Sequence, residues 1–394
     1  MKIVCVGGGP AGLYFATLTK QRDAGHDVVV YERQTPDATY GWGVVYWDDL
    51  LERLIATDPE TAQAIHSASV RWSSQVLDVE GRRTVHTGRG GYSIGRHRLL
   101  DILGRRASDV GVRIEYGTEV GLPDVSDADL IVAADGAGSR LRQQHSDLFG
   151  TDITDGANKY IWLGTSKVFD GFTFSLLNSD AGWIWFHGYA FNDSMSTCVV
   201  ECSATTWAGL GFDRTDALTS TARLSTLFAR SLDAHPLINR DSSWLTFRTV
   251  TNARWHHGNI VLAGDAAHTT HFTIGSGIRL ALEDSISLAR HLGAGVSIPA
   301  ALEAFEVQRR SEITQSQSEA RFSARWFENI ERYMDFNDEQ LFTLLRERRS
   351  PLLARIPPRW YYGLHHATER FHFLGRLRRW AGPRARAAYS QRFG

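Results

Sequence analysis

Six residues near the start of the chain, Gly7-Gly8-Gly9-Pro10-Ala11-Gly12, form a G-x-G-x-x-G turn between a short apolar run at 3–6 and a helix-like stretch at 11–21. The three glycines have separate uses. Gly7 permits the tight turn, Gly9 lets the backbone approach a pyrophosphate, and Gly12 lets the helix pack on the strand. The helix N-terminus, with Ala11 in its first turn, presents free N–H groups and a partial positive charge to phosphate oxygens. A second apolar run at 28–31 ends at Glu32, twenty residues past Gly12, with Arg33 beside it. A carboxylate at that point accepts hydrogen bonds from ribose hydroxyls. Strand, helix and acid in one βαβ unit indicate a bound dinucleotide, the alternative being a purely structural glycine turn. The motif does not separate FAD from NAD.

Other elements must position this turn. Residues 98–107 read as a helix, with Leu99, Ile102, Leu103 and Arg106 at helical spacing, and 130–134 read as a buried strand running into Asp135. Alternating stretches at 160–169, 172–177, 182–189 and 196–202 suggest an antiparallel sheet, crossed by a helix at 216–232. A buried strand at 259–263 and a helix at 277–291 follow, and the last hundred residues read as mostly helical, 302–334 being the longest candidate. The chemistry-bearing pieces are scattered over residues 1–290, so the domains should be discontinuous. Segments 1–70, 96–158 and 254–300 are assigned to a nucleotide-binding domain, 71–95 and 159–253 to a sheet domain, and 301–394 to a helical C-terminal region. There is one dinucleotide fingerprint, no second βαβ unit and no redox C-x-x-C, which excludes a disulfide reductase.

Two later segments carry a family resemblance. Asp135-Gly136-Ala137-Gly138-Ser139-Arg140 resembles the DG motif of class A FAD-dependent aromatic hydroxylases, and Gly264-Asp265-Ala266-Ala267-His268 resembles their GD motif. With the glycine turn, the motifs occur in the family's order, and the resemblance covers roughly residues 1–330. It implies an α/β fold: an FAD-binding Rossmann-like domain of the para-hydroxybenzoate hydroxylase type, an antiparallel β-sheet substrate domain and a helical C-terminus. It implies FAD as cofactor, NADPH or NADH as co-substrate docking transiently, and O2 captured as a C4a-hydroperoxyflavin that hydroxylates an electron-rich ring. Asp265 would meet the ribityl hydroxyls. Gly275 and Gly277 open the next helix, whose N–H groups would stabilise the reduced flavin. Asp135 and Arg140 would lie near the pyrophosphates. Arg96, in an R-x-x-L-x-x-x-L element, would lie close to FAD unless it is merely a surface arginine at a helix start. Val45, in Gly41-Trp42-Gly43-Val44-Val45, would lie against the isoalloxazine.

The segment 268–277, with Phe272 where the commoner family pattern has proline, is similar to salicylyl-CoA 5-hydroxylases and 2-aminobenzoyl-CoA monooxygenases. So are Phe191-Asn192-Asp193, Val200-Glu201 and Trp326-Phe327-Glu328-Asn329. The resemblance implies salicylyl-CoA as substrate. His271 is the candidate for transferring the substrate's proton, since imidazole titrates near neutrality; the alternative is a packing histidine. Trp183-Ile184-Trp185 is followed by Phe186-His187 rather than the Ile-Pro of flavin halogenases, and reads as a wall or core packing. A free aromatic or indole such as tryptophan, a flavin oxidase or reductase that inserts no oxygen, and a non-catalytic flavin carrier are the competing readings.

Composition sets the outer bounds. At 394 residues, 43% hydrophobic and 22% charged with a net charge of -1, the chain has the balance of a soluble enzyme and no bulk attraction for nucleic acid or membrane. Residues 346–394 nevertheless hold twelve arginines against Glu347 and Glu369. They form either a solvated helix end or a patch for the phosphates of CoA. Cys5, Cys198 and Cys202 match no usual zinc spacing, so no metal is expected, and the sparse count fits a reducing cytoplasm. No signal peptide and no membrane span are expected, and a monomer or homodimer is.

Overall fold

The computed structural model of the chain describes residues 1–38, 41–293 and 295–370. It divides into two compact units: Met1–Thr269 with Gly275–Arg309, and Thr270–Ile274 with the residues from Arg310 onward.

In the first unit the continuous apolar runs become a six-stranded sheet. Lys2–Val6 lies inside it, parallel to Asp27–Glu32 on one side and Leu130–Ala133 on the other. Ile260–Leu262 continues the sheet past Leu130–Ala133, Arg113–Tyr116 continues it past Asp27–Glu32, and His256–His257 closes one edge antiparallel. Strands covered on both faces need no polar alternation, which is why Val4, Cys5, Val30 and Val132 follow one another inside. Because five of these strands are parallel, their C-terminal ends line one edge of the sheet. Within two residues Lys2–Val6, Asp27–Glu32, Leu130–Ala133 and Ile260–Leu262 lead in turn into Gly7, Arg33, Asp135 and Gly264. The Pro10–Arg22 helix has Pro10 in its first turn and is buried continuously from Ala11 to Thr19, packed by the Arg96–Asp109 and Gly277–His291 helices.

The alternating segments build a nine-stranded sheet. Its middle runs Thr151–Thr165, Ser196–Ser203, Gly182–Ala190 and Phe172–Ser179, all antiparallel. The Val70–Val79 and Arg82–Gly95 hairpin follows, then Gly43–Tyr46. One face packs Ile161, Leu163, Ile184, Phe186, Cys198, Val200 and Cys202 against Leu224, Phe228 and Leu232. Burial pushes the Cys5, Cys198 and Cys202 thiols up, so none is a thiolate near neutral pH.

Several expected boundaries move. The sheet is not wholly antiparallel, since Val70–Val79 runs parallel to Phe172–Ser179; pairing between segments so far apart leaves no local signature. The helix expected at 216–232 is Ala217–Leu227. It stops because the chain must reverse through Asp233 and Ala234, both at positive φ, to pair Leu237–Ile238 with Thr151–Thr165. The long helix is Ile298–Glu328, ended where the Asn329 side chain donates to the Arg325 carbonyl (2.8 Å). Gly43–Tyr46, inside the 1–70 segment, hydrogen-bonds into the second sheet.

The second unit holds residues 310–328 of that helix, the turn Ile330–Tyr333 and the helices Asp338–Arg346 and Pro358–Arg370. Asn337 and Gln340 form a capping box at the start of Asp338–Arg346. Trp326 stacks on Tyr333 at 4.5 Å over buried Phe327. Half of the twelve arginines of the stretch expected to meet CoA phosphates, those from Arg376 on, lie outside the described residues. Among the described residues no helix is long and apolar enough to cross a membrane.

Phe186 is fully buried between the second sheet and its covering helix. Phe186→Ala should cost about 3–5 kcal/mol in urea unfolding through the cavity it leaves; a loss below about 1 kcal/mol would mean that this core is loosely packed.

Candidate active site

The glycine turn is held by contacts that only hydrogen side chains allow. Gly7 sits at φ 109°, its N–H donates to the Tyr31 carbonyl (2.8 Å), and a Cβ there would lie 2.4 Å from the Ala134 oxygen. A Cβ at Gly12 would meet the Gly7 oxygen at 2.1 Å. Gly9, which caps the helix, is different: its nearest neighbour would be the Ala134 oxygen at 3.9 Å, so the backbone is open to an incoming group. Glu32 braces the turn as well as ending its strand. One carboxylate oxygen accepts from the Gly8 N–H (2.7 Å) and the other from the Gln34 N–H (2.8 Å). Arg33 is exposed, within electrostatic reach of Glu119, which pairs with Arg140 at 2.7 Å.

Asp135 adjoins this turn, its Cα 2.8 Å from where a Gly7 Cβ would stand. Its Oδ2 accepts from the Arg140 backbone (2.8 Å), while Oδ1 is buried and meets no hydrogen-bond partner among the described residues. The next contact was not anticipated. Arg142, fully buried, donates to the carbonyls of Ala137 and Ala266 and so ties the DG loop to the GD loop.

The GD loop rests on Asp284. This buried carboxylate accepts from the Gly264 N–H (2.9 Å) and His268 Nε2 (2.9 Å) on one oxygen and from Arg309 Nε (2.8 Å) on the other. Burial pushes its pKa up, but His268 and Arg309 outweigh burial and hold it below the usual carboxylate range. His268 stacks on Trp255 at 4.8 Å. On the same helix, the Ser285 hydroxyl donates to the Ala11 carbonyl (2.8 Å), and a Cβ at Gly264 would stand 3.1 Å from that of Ala11, which closes the GD loop on the first helix. Asp265 itself opens to solvent between buried Gly264 and Ala266. The protein mass around it still raises its pKa, and the charges of His268 and Arg96 pull against that rise. Arg96, first residue of its helix, thus shares an electrostatic environment with Asp265, and its N–H donates to the Trp42 carbonyl (2.7 Å).

Val45 and Gly275 touch. Gly275 has φ 64°, and a Cβ on it would approach Val45 Cγ2 to 2.6 Å. Two residues on, Gly277 opens the Gly277–His291 helix with nothing within 4 Å of its missing side chain. The second sheet holds the Val45 strand in place. Tyr189 Oη donates to the Gly43 carbonyl (2.8 Å), Thr197 Oγ1 accepts from the Gly43 N–H (2.7 Å), and Trp42 lies against Gly164. The same face buries Glu201, which accepts from Trp185 Nε1 (3.1 Å) and Asn158 Nδ2 (2.8 Å). His271 belongs to the second unit. It stacks on Phe272 at 4.3 Å, with Nδ1 3.0 Å from Thr273 Oγ1.

The structure therefore gathers Gly7, Gly9, Ala11, Gly12, Glu32, Asp135 and Asp265 around one sheet edge, with Arg96 near Asp265 and Val45 on Gly275. Sequence reasoning missed Arg142, Asp284 and Arg309. Asp284 and Arg309 had a signal: each is a charged residue on the apolar stripe of its helix, among Leu280, Ala281 and Leu288, and among Leu302, Phe305 and Ile313. Arg142 had none.

Comparison with known proteins agrees with this geometry. Residues 123–320 match the family model described as an FAD binding domain, and residues 5–36 match an NAD(P)-binding Rossmann-like domain. The chain is 40% identical to a salicyloyl-CoA 5-hydroxylase of a Streptomyces species, over 85% of this chain and 66% of that protein. It is 34% identical to the 3-hydroxy-4-methyl-anthranilyl-[aryl-carrier protein] 5-monooxygenase of Streptosporangium sibiricum, over 84% of this chain and 90% of that one. The chain thus spans just under two thirds of the length of the first relative and most of the second. In fold it resembles a solved 2-methyl-3-hydroxypyridine-5-carboxylic acid oxygenase, with a TM-score of 0.68 at 20% identity, covering 91% of this chain and 96% of that one.

Fold and site together define an FAD-binding α/β flavoprotein with a second, sheet-based domain. More narrowly, the chain belongs to the FAD-dependent aromatic monooxygenases, a family that uses FAD with NAD(P)H. The residues present fit that cofactor: open backbone at Gly9 and Gly277, an acceptor at Asp135 Oδ1 with no partner among the described residues, and an exposed carboxylate at Asp265.

Two outcomes follow from the Asp265 and Asp284 arrangements. Asp284→Ala, which takes the carboxylate from His268 and the Gly264 amide and leaves Arg309 paired with Glu283 at 3.3 Å, should destabilise the protein by about 3 kcal/mol in urea unfolding. A carboxyl whose folded pKa is raised holds its proton more tightly folded than unfolded, so its ionisation subtracts from stability as pH climbs through the raised value. Asp265→Asn should therefore leave the flavin-free protein at least as stable as the parent at pH 8, with any gain vanishing in acid. Its FAD affinity should fall on the order of tenfold by fluorescence titration. An Asp265→Asn protein that is less stable at pH 8 and binds FAD normally would contradict this account.

Proposed function

We propose that the protein is an NAD(P)H- and O2-dependent FAD monooxygenase that hydroxylates an aromatic ring carried on a thioester, with salicylyl-CoA as substrate and position 5 as the site of attack. The observation that carries this reading is the pair of relatives at 40% and 34% identity, both named for reaction at position 5 of an aryl thioester. FAD, when bound, supplies reduction by NAD(P)H and the activation of oxygen.

The chain's own residues supply placement. The open backbone at Gly9 and the N-terminus of the Pro10–Arg22 helix would take the pyrophosphate, and Glu32 a ribose. Asp265 would take the ribityl chain, and the Gly277 helix start would favour negative charge on the reduced ring. Val45 and Arg96 would border the ring, with the Arg96 charge pulling against the burial that raises the Asp265 pKa. The buried face of the second sheet, with Trp185 and Tyr189 locked by hydrogen bonds, would orient an aromatic substrate and exclude water. His271 would meet the substrate's ring hydroxyl and govern its proton.

The test is oxidation of NADH and of NADPH by the flavin-loaded protein with salicylyl-CoA, the same acyl group on a carrier protein, free salicylate and tryptophan. Salicylyl-CoA should accelerate flavin reduction by on the order of tenfold or more over the free acids and give a product labelled from 18-O2. Equal stimulation by free salicylate or tryptophan removes the thioester reading. Unlabelled product with stoichiometric peroxide removes the monooxygenase reading.

A further inference from the structure

We propose that Arg348, Ser323 and Thr273 form a positioning set for His271, a one-way hydrogen-bond chain that fixes its imidazole with the lone pair on Nδ1 and the proton on Nε2. Arg348 and Ser323 stand outside every motif of the family resemblance, and the inference rests on the reading of His271 as the residue that meets the substrate's ring oxygen.

The polarity of the chain is set at its far end. Arg348 Nε donates to Ser323 Oγ (3.1 Å), and a guanidinium has donors only, so the serine oxygen accepts there. Ser323 passes its own proton to Thr273 Oγ1 (2.8 Å). Thr273 Oγ1 is thereby an acceptor toward Ser323, which leaves its hydroxyl hydrogen for His271 Nδ1, 3.0 Å away. A second, independent donor faces the same nitrogen: the Thr273 backbone N–H, 3.5 Å from Nδ1. An amide can only donate. With hydroxyl and amide both directed at Nδ1, that atom holds the lone pair, and a neutral imidazole must carry its hydrogen on Nε2. The reversed tautomer would set an Nδ1–H against an amide N–H.

The rest of the set makes the arrangement stiff. Arg348 also donates through Nη2 to the Thr273 carbonyl (3.0 Å) and through Nη1 to the Leu345 carbonyl (2.9 Å). Arg349 donates to the Ile274 carbonyl (3.1 Å) and pairs with Glu319 at 3.5 Å. Ser323 is fully buried and Thr273 nearly so, which shields the chain from competing water. Burial pulls the Arg348 pKa down to about 9, still high enough to keep it charged at neutral pH. Two arginines of the basic C-terminal stretch are thus committed to the loop carrying His271. The chemical consequence is a change of role. A neutral imidazole with its proton on Nε2 takes no proton at that atom; it donates, and so would hold a ring oxygen as its anion.

The test is long-range 1H–15N spectroscopy of flavin-loaded protein labelled with 15N-histidine, the His271 signals being those lost in His271→Gln. A pyridine-like Nδ1 with a pyrrole-like Nε2 is expected in the parent, and averaging toward both tautomers in Thr273→Val and, more weakly, in Ser323→Ala. A pyrrole-like Nδ1, or tautomers already averaged in the parent, overturns the proposal, and this holds even if a variant fails to fold. With substrate, Thr273→Val should lower kcat on the order of tenfold with KM nearly unchanged. The functional reading fails separately: if the parent shows the expected tautomer but His271→Gln hydroxylates at the parent rate, the positioning set stands and His271 is not at the substrate.

Discussion

The carboxylate of Asp284 is the contact on which the cofactor side of this protein turns. Buried completely, it would be costly to ionise without partners. It has three: the Gly264 amide, His268 and Arg309. Through the amide it fixes where the strand Ile260–Leu262 ends and the GD loop begins. Asp265, one residue later, is the member of that loop left open to solvent. Arg142 braces the loop from the DG side, donating to Ala266. A dinucleotide site that looks in sequence like three glycine-and-aspartate motifs is, in three dimensions, a pair of loops held by buried charges that none of the motifs contains.

The two sheets divide the labour by physical character. The central strands of the parallel sheet are buried on both faces, and the sheet aligns strand ends, so that motifs separated by more than a hundred residues arrive at one edge. The nine-stranded sheet is two-sided. One face is an aliphatic and aromatic core under a helix. The other carries Trp185, Glu201, Tyr189 and Thr197, whose hydrogen bonds both satisfy buried polar groups and hold the Gly43–Tyr46 strand against Gly275. Such a polar face is expensive unless fully paired, and each group named here has a partner. Positioning the segment expected beside the flavin ring is therefore a task of the second sheet, although the segment lies among the nucleotide-binding residues in sequence.

The second unit repeats the theme on a smaller scale. Arg348 and Arg349 read in sequence as members of a basic surface stretch, yet they spend their donors on the carbonyls of Thr273 and Ile274. Charge counted along a chain says nothing about whether a guanidinium meets solvent, a ligand or its own backbone. Only packing decides, because an arginine's long apolar stem lets it reach inward as easily as outward.

What the sequence determined by itself were the features written in local order: the βαβ unit with its glycine turn, the strand and helix types, and the chemical kind of the cofactor motifs. Gly12 is readable because the atom that excludes a side chain there is the Gly7 carbonyl oxygen five residues back, and Gly7 because the turn holds it at positive φ; that the Ala134 oxygen also crowds Gly7 is decided by the fold. The tertiary structure alone decided which distant residues share a charge or a hydrogen bond. The pairing of Asp284 with Arg309, the span of Arg142 between two loops, the parallel joint between Val70–Val79 and Phe172–Ser179, and the clasp of Arg348 on Thr273 all depend on where the chain returns. The physical reason is that propensity and periodicity act over a few residues, whereas the cost of an unpaired buried charge is settled by whichever partner the completed fold brings within about 3 Å.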